Sequence, residues 1–110
     1  MFKLAPAPTF ELTVELSGPG STQAGKLQLV GKYLGKSALQ AWIESAKDHE
    51  HDVDWLLKVI EGWAEVVDAD GKPVPFDRAG LDCLLDTYAR SSQEIFDAYV
   101  AALVGARRKN

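Results

Sequence analysis

Apolar and polar residues alternate one by one along residues 9–16. Phe10, Leu12, Val14 and Leu16 fall on one side, and Thr9, Glu11, Thr13 and Glu15 on the other. A period of two with one polar face predicts a half-buried strand of the antiparallel kind. The stretch "SGPGSTQAGK" then interrupts the alternation with glycines, a proline and small polar residues, which marks a loop. Leu27, Leu29 and Tyr33 restore the period of two. The pattern therefore predicts an antiparallel hairpin over residues 9–35, with Gly31 at a bulge or a close packing contact.

Beyond residue 36 the period lengthens. Leu39, Trp42, Ile43 and Ala46 stand at i, i+3, i+4 and i+7, which predicts a helix over 37–47. Ser37 with Gln40 reads as its capping box. Val53, Leu56, Leu57 and Ile60 form the next stripe, widened by Trp55, Val59 and Trp63. They predict a second helix over 52–63, capped by Asp52. "VVDADGKPVPF" breaks the pattern: Asp70-Gly71 suits a tight turn, and Pro73 and Pro75 keep the exit extended. Leu81, Leu84, Leu85 and Tyr88 predict a third helix over 77–88, capped by Asp77. Ile95, Phe96, Tyr99, Ala102 and Leu103 predict a fourth over 92–106, with Ser91 and Glu94 as a second capping box. The expected fold is α+β: an N-terminal antiparallel β-hairpin followed by about four α-helices, mostly helical, in a single domain over residues 1–110. The expected core holds Leu12, Val14, Leu39, Trp42, Ile43, Leu56, Ile60, Leu84, Leu85, Ile95 and Tyr99.

Composition narrows the functional classes. The chain has 110 residues, 46% hydrophobic and 25% charged, with a net charge of −4. A negative balance gives no global drive toward nucleic acid. The only basic cluster is the terminal "GARRKN", where cations suit a helix C-terminus. No run approaches the ~18 apolar residues of a membrane span, and "MFKLAPAPTF" lacks the apolar segment of a signal peptide. Cys83 is the single cysteine. It has no partner for an internal disulfide and reads as a small hydrophobe beside the third stripe.

Catalytic signatures are missing. There is no glycine-rich phosphate loop, no Gly-x-Ser-x-Gly elbow and no His-Glu-x-x-His. His49 and His51 flank Glu50 without a distant third ligand, a weak metal pattern. Asp68 and Asp70 sit in "DADGKPVPFDRA", where a valine and a proline occupy positions that a calcium loop fills with oxygen ligands. The expectation is no catalytic, cofactor-binding or metal-binding residue and no cofactor. Trp42, Trp55 and Trp63 lie within 22 residues. Core packing and interface anchoring are both open to them. Because the arc of Trp55, Val59 and Trp63 adds to a stripe already complete, self-association through apolar helical surface is expected, with Trp55, Val59 or Trp63 partly exposed.

The order of segments carries a resemblance. "PTFELTVELSGPG" leads into "LVGKYLGKSALQAWIESA". "VIEGWAEVVDADGKPVPFDRAGLDCLLDTY" follows, and "SQEIFDAYVAALVGARRKN" closes the chain. Together they resemble the tail assembly chaperones of long-tailed bacteriophages and prophages over nearly the whole length. The most telling parts are "GW" before the "DADGKPVPF" turn, "LLDTY", and the closing "AY" and "GARRKN". The resemblance implies a non-enzymatic protein in the cytoplasm of the bacterial host that binds the tape measure protein, keeps it soluble during tail assembly, and is absent from the mature virion. It carries over no contact residue. The competing reading is a structural phage tail or head–tail connector component.

The resemblance also implies a longer form, made by a ribosomal slip of one nucleotide, that recruits tail tube subunits. Arg108-Lys109-Asn110 is compatible with a slippery run of A-AAA-AAC or A-AAA-AAT, in which the two codons after the first base read Lys-Asn.

Overall fold

The computed structural model describes residues 2–21 and 23–105. The alternating segments form two long strands, β1 (Thr9–Ser17) and β2 (Gln23–Lys32). They pair antiparallel with Leu12 opposite Leu29 and Val14 opposite Leu27. A short 3-10 turn at Pro19–Ser21 lies between them, with Gly20 at φ 65. The outer face is polar, and on it the Thr13 hydroxyl donates to the Gln28 side-chain carbonyl across the strands (2.9 Å). The inner face carries Leu12, Val14, Leu16, Leu27 and Leu29, all buried.

The expectation of a mostly helical chain is wrong. The chain is α+β with a three-stranded antiparallel sheet, and its described residues are 43% helical, 3-10 turns included, and 25% strand. The error lies in the segment read as a helix over 52–63. Here α2 covers only Asp52–Leu56, and Ile60–Ala64 forms β3. β3 pairs antiparallel with β2, so the sheet order is β1-β2-β3. Gly31 pairs with Ile60, yet Val30 pairs with Gly62, so one extra residue enters β3 at a bulge. The bulge puts Ile60 and Trp63, three residues apart, on partners Gly31 and Leu29 of the inner face. A spacing of three is what a helix would also show, and the bulge therefore disguises a strand as a helix.

The remaining helices are α1 (Lys36–Glu44), continued by a 3-10 turn at Ser45–Asp48, then α3 (Arg78–Thr87) and α4 (Ser91–Leu103). The expected end of the fourth helix at residue 106, and residues 107–110 beyond it, lie outside the described residues. Among the caps, Asp77 behaves as expected: its carboxylate accepts from the Gly80 amide at 2.7 Å. The two capping boxes and the Asp52 cap do not form. α1 starts after Gly35 with no side-chain cap, and α2 starts after His51 in the same way. α4 starts after Arg90. The Ser91 hydroxyl instead donates to the Tyr88 carbonyl (2.7 Å). The Glu94 carboxylate accepts from both the amide and the hydroxyl of Ser17, tying α4 to the end of β1.

The helices cover the inner face of the sheet. Trp42 from α1, Val53 and Leu56 from α2, Leu81 from α3, and Ile95 and Tyr99 from α4 join the strand residues in one core. Val59 and Ile60 enter it from the turn before β3 and from β3 itself. Leu39, Leu84 and Leu85 pack against the core only in part. Ile43, assigned to the core by its spacing, is exposed. No helix among the described residues is long and apolar enough to cross a membrane.

Tyr99 joins α4 to the sheet, where its ring stacks on Phe10 of β1 at 5.8 Å. Its side chain is 0% exposed, and its hydroxyl donates to the Lys32 carbonyl at 2.6 Å. Burial pushes the phenol up from 10.0 to about 12. The fold thus favours the neutral phenol. Its contribution is fully present below pH 10 and is lost as pH rises from about 10 through about 12. Urea midpoints of the wild type should fall across that window. Tyr99→Phe should lose about 1 kcal/mol at neutral pH and should decline less steeply above pH 10. Parallel alkaline slopes for the two proteins would show that Tyr99 is not the group responsible.

Candidate functional site

Tryptophan has a large apolar ring and a single N–H donor that needs an acceptor when buried. α1 and α2 answer this need reciprocally. The Trp42 indole donates to the Trp55 carbonyl at 3.0 Å, and the Trp55 indole donates to the Trp42 carbonyl at 2.8 Å. Both acceptors lie in the last turns of short helices and also accept locally, the Trp42 carbonyl from the Ser45 amide and hydroxyl and the Trp55 carbonyl from the Lys58 amide (3.2 Å). Each indole thus adds a donor from the other helix to a helix end. The rings lie 4.1 Å apart and 5° from parallel. Phe96 of α4 stacks against both, at 5.7 Å and 5.5 Å. Tyr99 meets Trp42 edge-on at 5.4 Å.

This stack is only half enclosed. Trp42 is buried, whereas Trp55 and Phe96 remain partly exposed. They line an open groove of about 340 Å³ between α1, α2 and α4, together with Ile43, Ala46, Asp52, Ser92 and Gln93. Ile43 is 38% exposed at its margin. The Ser92 hydroxyl donates to the Asp52 carboxylate at 2.9 Å, so part of the polar rim is already paired. An aromatic floor inside a polar rim is the composition of a partner-binding patch.

Trp55, Val59 and Trp63 do not form one arc: Val59 is buried, whereas Trp55 and Trp63 are each partly exposed. Trp63 is half-buried and belongs to a different cluster. Its indole donates to the Val74 carbonyl (2.9 Å), and its ring meets Phe76 edge-on at 5.2 Å. Val74 closes a small hairpin, with Val67 bridging Pro73 and the Val74 amide donating to the Val66 carbonyl. The turn of that hairpin is as the sequence predicts, with Gly71 at φ 79. One oxygen of Asp68 accepts from the amides of Asp70 (2.9 Å) and Lys72 (3.0 Å). That oxygen holds the turn.

His49 and His51 part company. His49 lines a cavity beside β2 and α1, and His51 lines another beside α2 and α3. Cys83 is exposed on α3 and not packed as a small hydrophobe. Arg78 forms a two-pronged pair with Asp54 (2.7 and 3.1 Å), bridging α3 to α2 at the surface. The guanidinium hydrogen bond holds the Asp54 carboxyl below its ordinary value. Sequence reasoning missed the groove because two of its walls were assigned inward. Ile43 fits the helical stripe of the core, and Phe96 sits beside Ile95 on the side of α4 read as buried.

No curated protein and no solved structure matches the chain. A family model described as phage tail assembly chaperone matches residues 1–110, the whole of it. A chaperone family points to a non-enzymatic role. On that match, the chain belongs to the phage tail assembly chaperone family.

Proposed function

We propose that this chain binds the tape measure protein in the cytoplasm of the bacterial host and keeps it soluble until the tail tube forms around it, without turning over any substrate. The observation that carries this reading is the half-open stack of Trp55 and Phe96 beside exposed Ile43. It supplies apolar surface to a partner whose own apolar helical stripes aggregate when uncovered. Several copies are needed to cover a long rod, so the working form is a homo-oligomer that leaves before the virion matures. A longer frameshifted form adds contacts to tail tube subunits. Neither nucleic acid nor membrane takes part.

Co-expression is the direct test. The soluble yield of the tape measure protein should rise several-fold with this chain, and the two should co-elute on gel filtration. Unchanged yield with no complex would sink the proposal. Recovery of the chain in purified virions would favour the structural tail or connector reading instead.

A further inference from the structure

The opposite side of α1 carries a second open cavity, of about 370 Å³. Its floor is apolar: Leu34, Trp42 and Val59. One wall is α1 with the start of the 3-10 turn that continues it, presenting Ala38, Ala41 and Ser45 at i, i+3 and i+7. These small side chains leave room for a second helix to approach the backbone closely. The rim is cationic. The Lys32 amide donates to the Val59 carbonyl at 2.7 Å, which places Lys32 beside the residue that follows Lys58. Both lysines are exposed. Among the described residues neither ammonium group has an ion-pair partner.

No carboxylate lines this cavity, although the chain holds sixteen acidic residues against twelve basic ones. Two exposed lysines on the lining of one apolar cavity, neither in an ion pair, gain no charge partner from the fold itself. They complement a ligand that brings an apolar side chain flanked by carboxylates. The cavity beside α2 and α3 is its electrostatic opposite, lined by Glu50, Asp52, Asp82 and Asp86, so the charge is sorted by place and not only by total.

We infer that the Lys32–Lys58 cavity docks an acidic amphipathic helical segment of a partner protein, with an apolar side chain against Trp42 and its carboxylates on the two lysines. The inference rests on the chaperone reading for its partner: the segment belongs to the long helical protein. Charge reversal at two exposed lysines leaves the core untouched, so the variant should keep its wild-type circular dichroism and melting curve.

The probe is a fluorescein-labelled helical peptide with leucines at i and i+4 flanked by glutamates, read by anisotropy. Lys32→Glu with Lys58→Glu should weaken its binding by about tenfold or more. Lys72→Glu, on the exposed hairpin away from the cavity, should not. A peptide with lysines in place of the glutamates should bind worse than the acidic one. No binding at millimolar peptide, equal affinity in the double variant, or displacement by an oligothymidine would each overturn the site.

Co-expression then separates the two ideas. A double variant that still raises tape measure solubility as the wild type does leaves the chaperone reading standing and removes this site from it. A wild type that binds the peptide through the two lysines but never raises that solubility keeps the site and removes the tape measure protein as its partner.

Discussion

Trp42→Ala is expected to lower the unfolding free energy by about 3–5 kcal/mol, the range for deleting a large buried aromatic side chain. The loss has separable parts. The ring touches Trp55, Phe96 and Tyr99, so three aromatic contacts vanish and a cavity opens where α1, α2 and α4 meet. The indole N–H also leaves the Trp55 carbonyl without that donor near the end of α2, a helix only five residues long. Such a helix has no stability of its own and depends on tertiary contacts. Against a total of about 5–15 kcal/mol for a domain, this loss is a large share. Trp42→Phe keeps a ring against Phe96 and Tyr99 and should lose about 1–2 kcal/mol. Urea melts followed by circular dichroism give the order. If Trp42→Ala and Trp42→Phe had the same midpoint, the ring contacts would not carry the effect, and the mutual capping of α1 and α2 would be left as its cause.

The sheet was legible where the rule of alternation was unbroken. Leu12, Val14, Leu16, Leu27 and Leu29 are all buried, and their polar neighbours in β1 and β2 are exposed. It was illegible where a single inserted residue broke the rule. In β3 the bulge sends Ile60 and Trp63 to the same face. With Val53 and Leu56 before them, they complete a helical stripe that no helix uses. A local signal did exist. Val59 and Ile60 are both β-branched, and Gly62 follows within two residues, a combination that disfavours a helix and suits a strand with a bulge. Periodicity outweighed it because the period was counted across the boundary between α2 and β3.

The surface was harder to read than the core for a related reason. A stripe on a helix says which residues are apolar, not which neighbour covers them. α1 has Trp42 buried, with Ile43 on one flank and Ala38 and Ala41 on the other. Only the placement of α2, β2 and α4 decides that one flank becomes an aromatic groove and the other a cavity with a cationic rim. Lys32 and Lys58 are 26 positions apart in sequence and come to line one cavity through a turn, joined to β2 by the Lys32–Val59 backbone bond, that the helical reading of 52–63 erased. The mistake in the fold therefore hid the charge pattern as well.

Gly80→Ala is expected to destabilise the protein by about 2 kcal/mol, against the sign that helix propensity alone predicts. Gly80 lies in the first turn of α3, and an alanine inside a helix ordinarily gains up to about 1 kcal/mol over glycine. Here the added Cβ would sit 2.7 Å from the Pro75 carbonyl oxygen, 3.2 Å from an Asp77 carboxylate oxygen and 3.3 Å from the Trp63 ring. The nearest of these is backbone and gives way only if the 73–76 segment shifts. That segment is fixed at both ends. The Trp63 indole holds the Val74 carbonyl, and the Asp77 carboxylate holds the Gly80 amide. Relief therefore strains either the cap of α3 or the Trp63–Phe76 contact, and overpacking of this kind costs about 1–3 kcal/mol, which exceeds the propensity gain. Gly35→Ala is the matched control, because its Cβ would meet nothing within 4 Å. Its change should stay below about 1 kcal/mol, the usual loss when alanine replaces glycine at a helix start. Thermal melts of the two variants beside the wild type are sufficient. A Gly80→Ala protein as stable as the wild type, or more so, would mean that α3 slides freely against the 73–76 segment, and that Trp63 does not anchor it.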